Sequence, residues 1–445
     1  LHFVFLVGDV PSEWNRAVEG VEVATAYRPK LDYWTGQFDD QHRFPTDDVY
    51  ARPEKGVALA VGRFPAHTAD EVRGYVQKLV DYETAPAEGA WRRRVVVFTG
   101  PARYGVVADA LIETTAQHVL DNVLPYDYDL TFTFGFPQHP YAVAPQALGD
   151  KLVSDLNGGA LIAAYVGHGL AATFDHIDFR GEYYAIGSVP DMERLDIAEG
   201  APFFLSLTCL TGAFDRDDDS LAEAFVRNPR GGIAAFAASR TVHPYANGLL
   251  AQAIAQAFLI EHATTIGDGL LEVERLAPTY RQLLLEVAYG FDMEVLLEEH
   301  LGLYNLFGDP ATRLRYAGGA RVELAGAAAT VSPGAPLTVS VSSDAVRQGS
   351  ALVTLETQRS TIRGEVPQWA TIKDLPLQEL RVAMEAKYQK VMDKVVDKET
   401  ATIAGGRGQV ALTAPSEPGQ YAIKVLITGG GETAVGHVRF KVSKP

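Results

Sequence analysis

The sequence predicts an α/β domain with a mainly parallel sheet flanked by helices, followed by a β-sandwich with an inserted helix. Two observations predict the α/β part. Short apolar runs alternate with helical segments, and the runs are too continuously apolar for strands buried on one face. The sandwich follows from a change of pattern after Arg315, where short alternating strands with Gly and Pro turns begin.

The strand–helix alternation can be followed through the first 300 residues. The segment 68–83 shows it most fully, because Thr68 stands as an N-cap and apolar residues follow at helical spacing. The apolar runs expected to form strands are 2–7, 57–64, 94–98, 161–166, 203–207 and 232–238. The segments expected to form helices are 68–83, 105–122, 219–227, about 246–262 and about 268–301.

We expect three domains, with residues 1–84 as an N-terminal α/β subdomain, 85–316 as the main α/β subdomain and 317–445 as the sandwich. An apolar strand at the first residue suggests that upstream sequence is missing and that the first subdomain is truncated. Within the sandwich, residues 377–399 predict an amphipathic helix. We expect this helix to pack on its own sandwich, with a partner-binding or regulatory role as the alternative. Its apolar stripe consists of Leu377, Leu380, Met384, Tyr388, Val391 and Val395.

Composition and charge exclude several classes of function. The chain has 445 residues and a net charge of −17, which argues against nucleic acid or an anionic membrane as the main partner. No apolar run reaches about 18 residues, so no membrane span is expected. The single cysteine, Cys209, excludes an intrachain disulfide and a cysteine-cluster metal site.

Two strand ends carry residues that could perform chemistry. His168 follows one apolar strand within Gly-His-Gly, and Cys209 follows the next one. Ligand sites of open α/β sheets lie beyond the carboxyl ends of the strands, so the two side chains could face each other. A thiol beside an imidazole is a minimal nucleophile–base pair, and the N–H groups of Gly169 and Cys209 could form an oxyanion hole. The alternative is that Cys209 is a buried structural residue.

Several segments, in this order, resemble the gingipain-type cysteine peptidases, which form family C25 within the caspase-like clan. Together they cover most of residues 1–315, and the family resemblance implies a caspase-like sheet followed by an Ig-like domain. The matching segments are FLVGD at 5–9, TDDVYA at 46–51, 57–83, WRRRVVVF at 91–98, YVGHG at 165–169, LTCLTGAFD at 207–215, 220–240 and YNLFGDPATRLR at 304–315.

The resemblance implies roles for individual residues. His168 matches the catalytic histidine, Cys209 the nucleophile, and Gly169 with the Cys209 amide the oxyanion donors. In arginine-specific members an Asp at the base of the S1 pocket opens the helix after the second strand. Alignment of that helix places the match at Asp109, with Glu113 one turn further on. An acid there would pair with an Arg or Lys side chain at P1, although a solvated acid in a first helical turn fits equally well.

The sequence departs from the family pattern near the site. The acid beside the catalytic histidine has no clear match in the segment 98–105, so a Cys–His dyad is expected. The Trp that lines S1 is missing from the segment 238–244, where His243 stands near its place. The acidic loop 214–220 could bind a structural Ca²⁺ ion or attract a basic substrate, or Asp219 and Ser220 could cap the next helix.

These observations predict a cysteine endopeptidase that uses Cys209 and His168 and cleaves after basic residues. A sortase-like transpeptidase of a secretion system and an inactive binding module of the same fold are the alternatives. No cofactor is expected apart from the structural Ca²⁺ ion. The expected partners are a protein or peptide substrate and a propeptide or regulatory protein. Family resemblance implies an extracytoplasmic location.

Overall fold

The computed structural model describes residues 2–10, 22–31, 42–51, 58–85, 88–101, 119–281, 292–325 and 330–443. The strands in these ranges are β1 (Phe3–Val7), β2 (Ala26–Pro29), β3 (Arg43–Thr46), β4 (Ala60–Phe64), β5 (Arg94–Thr99), β6 (Asp129–Phe134), β7 (Ile162–Val166), β8 (His176–Phe179), β9 (Glu182–Ala185), β10 (Phe203–Leu207), β11 (Ala234–Ala238), β12 (Tyr304–Phe307), β13 (Gly318–Leu324), β14 (Thr330–Val331), β15 (Pro336–Ser343), β16 (Gln348–Thr357), β17 (Val395–Ala404), β18 (Arg407–Thr413), β19 (Gly419–Gly429) and β20 (Glu432–Val442). The α-helices are α1 (Ala69–Thr84), α2 (Leu148–Asn157), α3 (Val189–Glu193), α4 (Leu221–Arg227), α5 (Pro244–Ile254), α6 (Ile266–Leu276), α7 (Met293–Leu303), α8 (Trp369–Ile372) and α9 (Leu377–Met392). None of these helices is both long and apolar enough to cross a membrane.

Eight strands form the central sheet, in the order β1-β4-β12-β11-β10-β7-β5-β6. Among the described pairings only β11–β12 is antiparallel, so the predicted mainly parallel sheet is confirmed. The five strands β11, β10, β7, β5 and β6 run in one direction, and their carboxyl ends share one edge. The strands β1 and β4, from the predicted N-terminal subdomain, belong to the same sheet. The division of residues 1–316 into two subdomains stays a prediction.

Helices cover both faces of this sheet, which explains the continuously apolar strands. Every residue of β11 is buried, with Ala235 and Ala237 in one core and Ala234, Phe236 and Ala238 in the other. Helices α1, α2 and α4 contribute to the first core, and α5, α6 and α7 contribute to the second. Full burial of one large apolar side chain contributes about 1.5–3 kcal/mol, so these two layers dominate the stability of the domain.

The C-terminal strands close into a ring. The order is β13-β15-β18-β17-β16-β19-β20, and β20 also pairs with β13, while β14 adds to β20. The alternating apolar residues of these strands fill one interior, which contains Val339, Val341, Val353 and Ile423. A strand-rich domain of sandwich or barrel type is therefore present, and the Ig-like label stays a prediction.

The predicted helix 377–399 is shorter in the structure. Helix α9 ends at Met392, and Val395 already begins β17, which pairs with β16. The prediction was therefore wrong for the last turns of the helix. Five of the residues 395–403 are β-branched, a composition that favours a strand once a partner strand is available.

The expected packing of this helix on its own sandwich was also wrong. Leu380, Met384 and Tyr388 are buried in the core of the α/β domain that α2 helps to form. The Tyr388 hydroxyl contacts the carbonyl oxygen of Phe132 at 3.1 Å and the Thr133 hydroxyl at 3.0 Å. Both partners lie on β6, the edge strand of the central sheet. The inserted helix therefore covers an edge that would otherwise be open to unwanted pairing.

Candidate active site

The register of two parallel strands brings His168 and Cys209 to the same edge of the central sheet. Strands β7 and β10 are neighbours, and their last residues, Val166 and Leu207, are paired with each other. His168 and Cys209 each lie two residues beyond these paired ends. Both residues are partly exposed, so solvent and a substrate can reach them. The exposure of Cys209 counts against a purely structural buried thiol.

Gly169 packs directly on the cysteine loop. A Cβ atom at this position would lie 2.8 Å from the Thr208 Oγ1 atom and 3.0 Å from the Cys209 carbonyl oxygen. A side chain at this position would force the Thr208 side chain or the cysteine loop to shift. The glycine after the histidine therefore allows the two loops to pack closely.

Hydrogen bonds fix the backbone of the histidine loop. The His168 carbonyl oxygen accepts from the Tyr165 hydroxyl at 2.8 Å and from the Asp175 N–H at 3.0 Å. Gly169 forms an isolated antiparallel β-bridge with Phe174. The two hydrogen bonds of this bridge are donated by the N–H of Asp175 and by the N–H of Leu170, the second to the Thr173 carbonyl oxygen. Because residues on either side of the bridged pair donate both hydrogen bonds, the N–H of Gly169 is not a donor within this bridge.

The chain makes a tight turn immediately after the cysteine. Leu210 has a backbone φ of +63°, in the left-handed region that residues other than glycine rarely adopt. Such a conformation costs about 1–3 kcal/mol and persists only where neighbouring contacts enforce it. Here the Leu210 N–H donates to the Arg240 carbonyl oxygen at 3.2 Å, and the Thr211 N–H donates to the Cys209 carbonyl oxygen at 2.8 Å.

The segment after β11 contributes a hydrogen bond to the sulfur. The backbone N–H of Val242 donates to Sγ of Cys209, with a nitrogen–sulfur distance of 3.4 Å. Val242 directly precedes His243, the N-cap of α5. The same sulfur lies 3.9 Å from the Val242 carbonyl oxygen. An N–H donor and a nearby helix N-terminus would stabilise negative charge on the sulfur.

Behind the cysteine, Asn247 connects α5 to the end of β10. Its Nδ2 amide donates to the carbonyl oxygen of Leu207 at 3.4 Å. Its Oδ1 atom accepts from Nε2 of His300 at 2.8 Å and from the hydroxyl of Tyr304 at 2.7 Å. Burial lowers the pKa of His300 to about 3, with a smaller effect of His243, so the ring is neutral and donates through Nε2.

His243 has a structural contact that the sequence did not predict. Its Nδ1 atom accepts a hydrogen bond from the Tyr245 N–H at 3.1 Å and so caps α5. The side chain is buried, and burial lowers its pKa to about 4. The ring is therefore neutral at physiological pH. Contact between His243 and a substrate stays a prediction.

Asp109 and Glu113, the predicted pocket acids, lie outside the described residues. The acidic loop is described. Asp215 pairs with Arg240, and Asp219 pairs with Arg227. Ser220 caps α4 through a capping box, as the helix-cap interpretation expected.

A Ca²⁺ ion in the acidic loop would need carboxylate ligands, and two of the carboxylates there, Asp215 and Asp219, are already paired with arginines. Throughout the described ranges, no three His, Cys, Asp or Glu side chains are grouped so that they could hold a metal ion. The structural Ca²⁺ ion in this loop stays a prediction.

Sequence reasoning missed two contributors to the site. The Val242 contact is made by a backbone N–H, which carries no signature in the sequence. Nothing in the sequence distinguishes Asn247 from other helical amide residues. Its partners, His300 and Tyr304, lie more than 50 positions further along the chain. Pro244 was the one signal for a contribution from this segment. A proline is favoured at the first position of a helix, so Pro244 indicates a helix N-terminus near the end of β11.

A family model describes this combination of sheet and strand-end loops. The model "Peptidase family C25" matches residues 1–315, which is more than half of the chain. The chain therefore belongs to peptidase family C25. It is a cysteine peptidase, and its chemistry is hydrolysis. No curated protein sequence matches the chain significantly.

Solved structures share the fold. The Arg-specific cysteine proteinase gingipain R (RgpB) matches with a TM-score of 0.50 and 16% identity, covering 100% of this chain and 84% of that one. The complex of the Porphyromonas gingivalis RgpB pro- and mature domains matches with the same score and identity, covering 100% and 86%. A structure described only as a protease matches with a TM-score of 0.50 and 15% identity, covering 98% and 83%. At these identities the likeness establishes the fold alone.

Proposed function

We propose that the chain is an endopeptidase in which Cys209 is the nucleophile and His168 is the general base and acid. The observation that supports this proposal is the position of His168 and Cys209. Each lies two residues beyond the paired ends of adjacent parallel strands, and Gly169 packs on the cysteine loop. His168 takes the thiol proton, and the sulfur attacks the scissile carbonyl carbon. The leaving amine then takes that proton from His168. Water hydrolyses the resulting thioester and releases the free thiol.

The surroundings of the sulfur support this mechanism. The Val242 N–H and the N-terminus of α5 favour the thiolate, which is the reactive form of cysteine. The N–H groups of Gly169 and Cys209 are the proposed donors to the tetrahedral oxyanion. An oxyanion hole of this kind lowers the barrier most when its donors are fixed before the reaction. The hydrogen bonds that hold the backbone of His168 and Leu210 provide such fixation.

We propose further that the enzyme prefers Arg or Lys at P1, through Asp109 with support from Glu113. The support is the family resemblance of that helix. Asp109→Asn should lower kcat/KM for substrates with Arg or Lys at P1 by at least about tenfold. Unchanged kinetics on these substrates would remove Asp109 from the pocket.

A pro-segment that covers the active site and an extracytoplasmic location are also proposed. The support for the first is the RgpB structure that contains pro- and mature domains. The support for the second is family resemblance. A pro-segment of this kind, added in trans as a separate polypeptide, should inhibit cleavage, and a lack of inhibition would count against it.

A positional-scanning library of fluorogenic peptides tests the proposal. The wild-type chain should cleave peptides with one preferred class of P1 residue, and Cys209→Ala and His168→Ala should lose cleavage while keeping their melting temperatures. His2→Ala, at a half-exposed histidine paired with Asp268, serves as the histidine control and should retain activity. Activity that persists in Cys209→Ala would contradict the assignment.

Two additions to the same assay test the remaining alternatives. An added primary amine should leave product masses unchanged for a hydrolase, whereas a transpeptidase would form the amide. Activity with chelator and with Ca²⁺ tests the predicted calcium dependence. Because Asp215 and Asp219 are paired with arginines, we expect similar rates under both conditions.

A further inference from the structure

A row of polar residues crosses the outer face of the C-terminal strand ring. Arg321 on β13 pairs with Ser342 on β15, and Ser342 pairs with Arg407 on β18. Directly opposed residues of neighbouring strands place their side chains on the same face of a sheet. The adjacent residues Val322 and Val341 are buried in the interior, so the row Arg321–Ser342–Arg407 faces outward.

A third arginine joins this row from the turn that precedes β16. Arg347 lines an open depression of about 410 Å³ together with Arg321, Ser342 and Arg407. The volume lies within the range of small-molecule sites. Asp344 is the single acidic residue at its border, so three positive charges face one negative charge.

The backbone around the depression is held rigidly. The Gly406 N–H donates to the Arg347 carbonyl oxygen at 2.8 Å, and the Ser343 N–H donates to the Gly406 carbonyl oxygen at 2.9 Å. Gly406 has a φ of +78°, and a Cβ atom there would lie 2.5 Å from the Ser343 carbonyl oxygen. The Ser343 hydroxyl also accepts from the N–H of Val346. These bonds fix the two turns that carry Arg347 and Arg407.

Two of the three guanidinium groups have no acidic partner among the residues that the structure describes. Arg321 contacts Glu323 at 3.6 Å, but both side chains are largely exposed. In the described part of the chain no carboxylate lies at ion-pair distance from Arg347 or Arg407. This arrangement is notable in a chain with a net charge of −17, where acids outnumber bases. Arg321, Arg347 and Arg407 line the same depression, so their positive charges would attract an anion bound there.

We propose that Arg321, Arg347 and Arg407, with the Ser342 hydroxyl, form a binding site for a tetrahedral oxyanion carried by a ligand, namely a phosphate or sulfate group. Guanidinium groups bind such oxyanions through paired N–H donors, and a serine hydroxyl can donate one more bond. The site lies on the strand domain and does not depend on the proposed peptidase mechanism. It would let this domain hold the enzyme on a phosphorylated or sulfated surface or molecule.

Calorimetric titration of the full chain with defined oxyanions tests the site. A Cys209→Ala background prevents self-cleavage during the measurement. The probes are inorganic phosphate, inorganic sulfate, a hexose 6-phosphate, a sulfated disaccharide, and phosphatidic acid vesicles compared with phosphatidylcholine vesicles. At least one oxyanion probe should bind with a Kd below about 1 mM, and the probe that binds best identifies the source. Added NaCl should weaken binding.

Variants distinguish binding at these three arginines from nonspecific attraction of an anion by the positive charge of the domain. Arg347→Ala/Arg407→Ala should weaken binding at least about tenfold, and Arg347→Lys/Arg407→Lys should weaken it less, because charge remains but the paired donors are lost. Lys398→Ala/Lys441→Ala removes two exposed positive charges from the same domain and should have little effect. Absence of binding by every probe, or an equal loss in the lysine control, would overturn the proposal.

Discussion

Asn247 shows how a residue that does not contact the sulfur can position the proposed nucleophile, Cys209. Its amide joins the Leu207 carbonyl, two residues before Cys209, to the neutral ring of His300 and the hydroxyl of Tyr304. Two donors on Oδ1 fix the orientation of the amide, so that Nδ2 faces the strand end. The position of the sulfur therefore depends on contacts contributed by α5, α7 and β12.

Asn247→Ala should destabilise the chain and slow the reaction of the thiol. Three groups would each lose a hydrogen bond, and a buried polar group left unsatisfied costs about 1–3 kcal/mol before relaxation. We expect a lower melting temperature and a higher pH midpoint for alkylation of Cys209 by iodoacetamide.

Asn228→Ala is the matched control for this prediction. Its amide also donates to buried carbonyl groups, those of Met192 and Leu195, which lie in and just after α3 and not at the strand ends that carry His168 and Cys209. This variant should lose stability while its alkylation profile stays the same. Equal alkylation profiles in both variants would contradict a positioning role for Asn247.

His243 allows capping to be separated from substrate contact. His243→Ala removes the acceptor for the Tyr245 N–H and should destabilise the chain by about 0.5–2 kcal/mol. His243→Asn supplies another capping oxygen and should restore most of that loss. Because the imidazole is buried in this contact, we expect the P1 preference of His243→Asn to match the wild type. A changed P1 profile in this variant would show that the ring lines the pocket.

At the scale of elements, helix α9 ties the C-terminal domain to the α/β domain. Met384 and Leu380 are fully buried in the core of the α/β domain, and Tyr388 binds the edge strand β6. The Lys387 ammonium donates to the His139 carbonyl oxygen at 3.0 Å in the loop after β6. The catalytic sheet therefore requires the inserted helix for its full core, and the two domains should unfold together.

Met384→Ala should lower the stability of the whole molecule. Truncation of a fully buried methionine costs about 2–5 kcal/mol. We expect one cooperative thermal transition at a lower temperature, accompanied by an equal shift in the thermal loss of peptidase activity. Val382→Ala changes a residue of the same helix that is 61% exposed, and it should shift neither. Separate transitions for strand content and activity would contradict the coupling of the two domains.

Some of the helices and strands, and their arrangement, could be predicted from the sequence. The alternation of strands and helices predicted the sheet, and Gly-His-Gly and Cys209 at strand ends predicted a shared edge, because parallel strands end on one side. The apolar stripe of α9 predicted a helix but not the surface it covers, since periodicity states which face is buried and not against what. The strand that begins at Val395 was missed because its partner, β16, is distant in sequence.

At the scale of the whole molecule, stability depends on buried ionisable groups. Glu223 in α4 is buried, and burial together with Asp9 and Asp219 raises its pKa to about 8. The folded state therefore retains a proton between about pH 4.5 and pH 8 that the unfolded chain releases. The free energy of unfolding should fall as pH rises through this range.

Glu223→Gln should remove this dependence. Glutamine preserves the capping box with Ser220, because its oxygen can accept from the same N–H, and it carries no charge at any pH. The variant should gain stability over the wild type at pH 9, by at least about 1 kcal/mol, and little at pH 5. The measurement is chemical denaturation of both proteins across this range. A constant difference between the two would show that Glu223 does not titrate in it.

The central claim is that one thiol, Cys209, performs the reaction with His168 as its base. The most direct measurement is the mass of the chain after reaction with a peptidyl chloromethyl ketone that carries Arg at P1, followed by peptide mapping. We expect one adduct per chain on Cys209, loss of peptidase activity in proportion to labelling, protection by substrate, and no comparable labelling in His168→Ala. Full peptidase activity in a chain whose Cys209 is completely modified would contradict it.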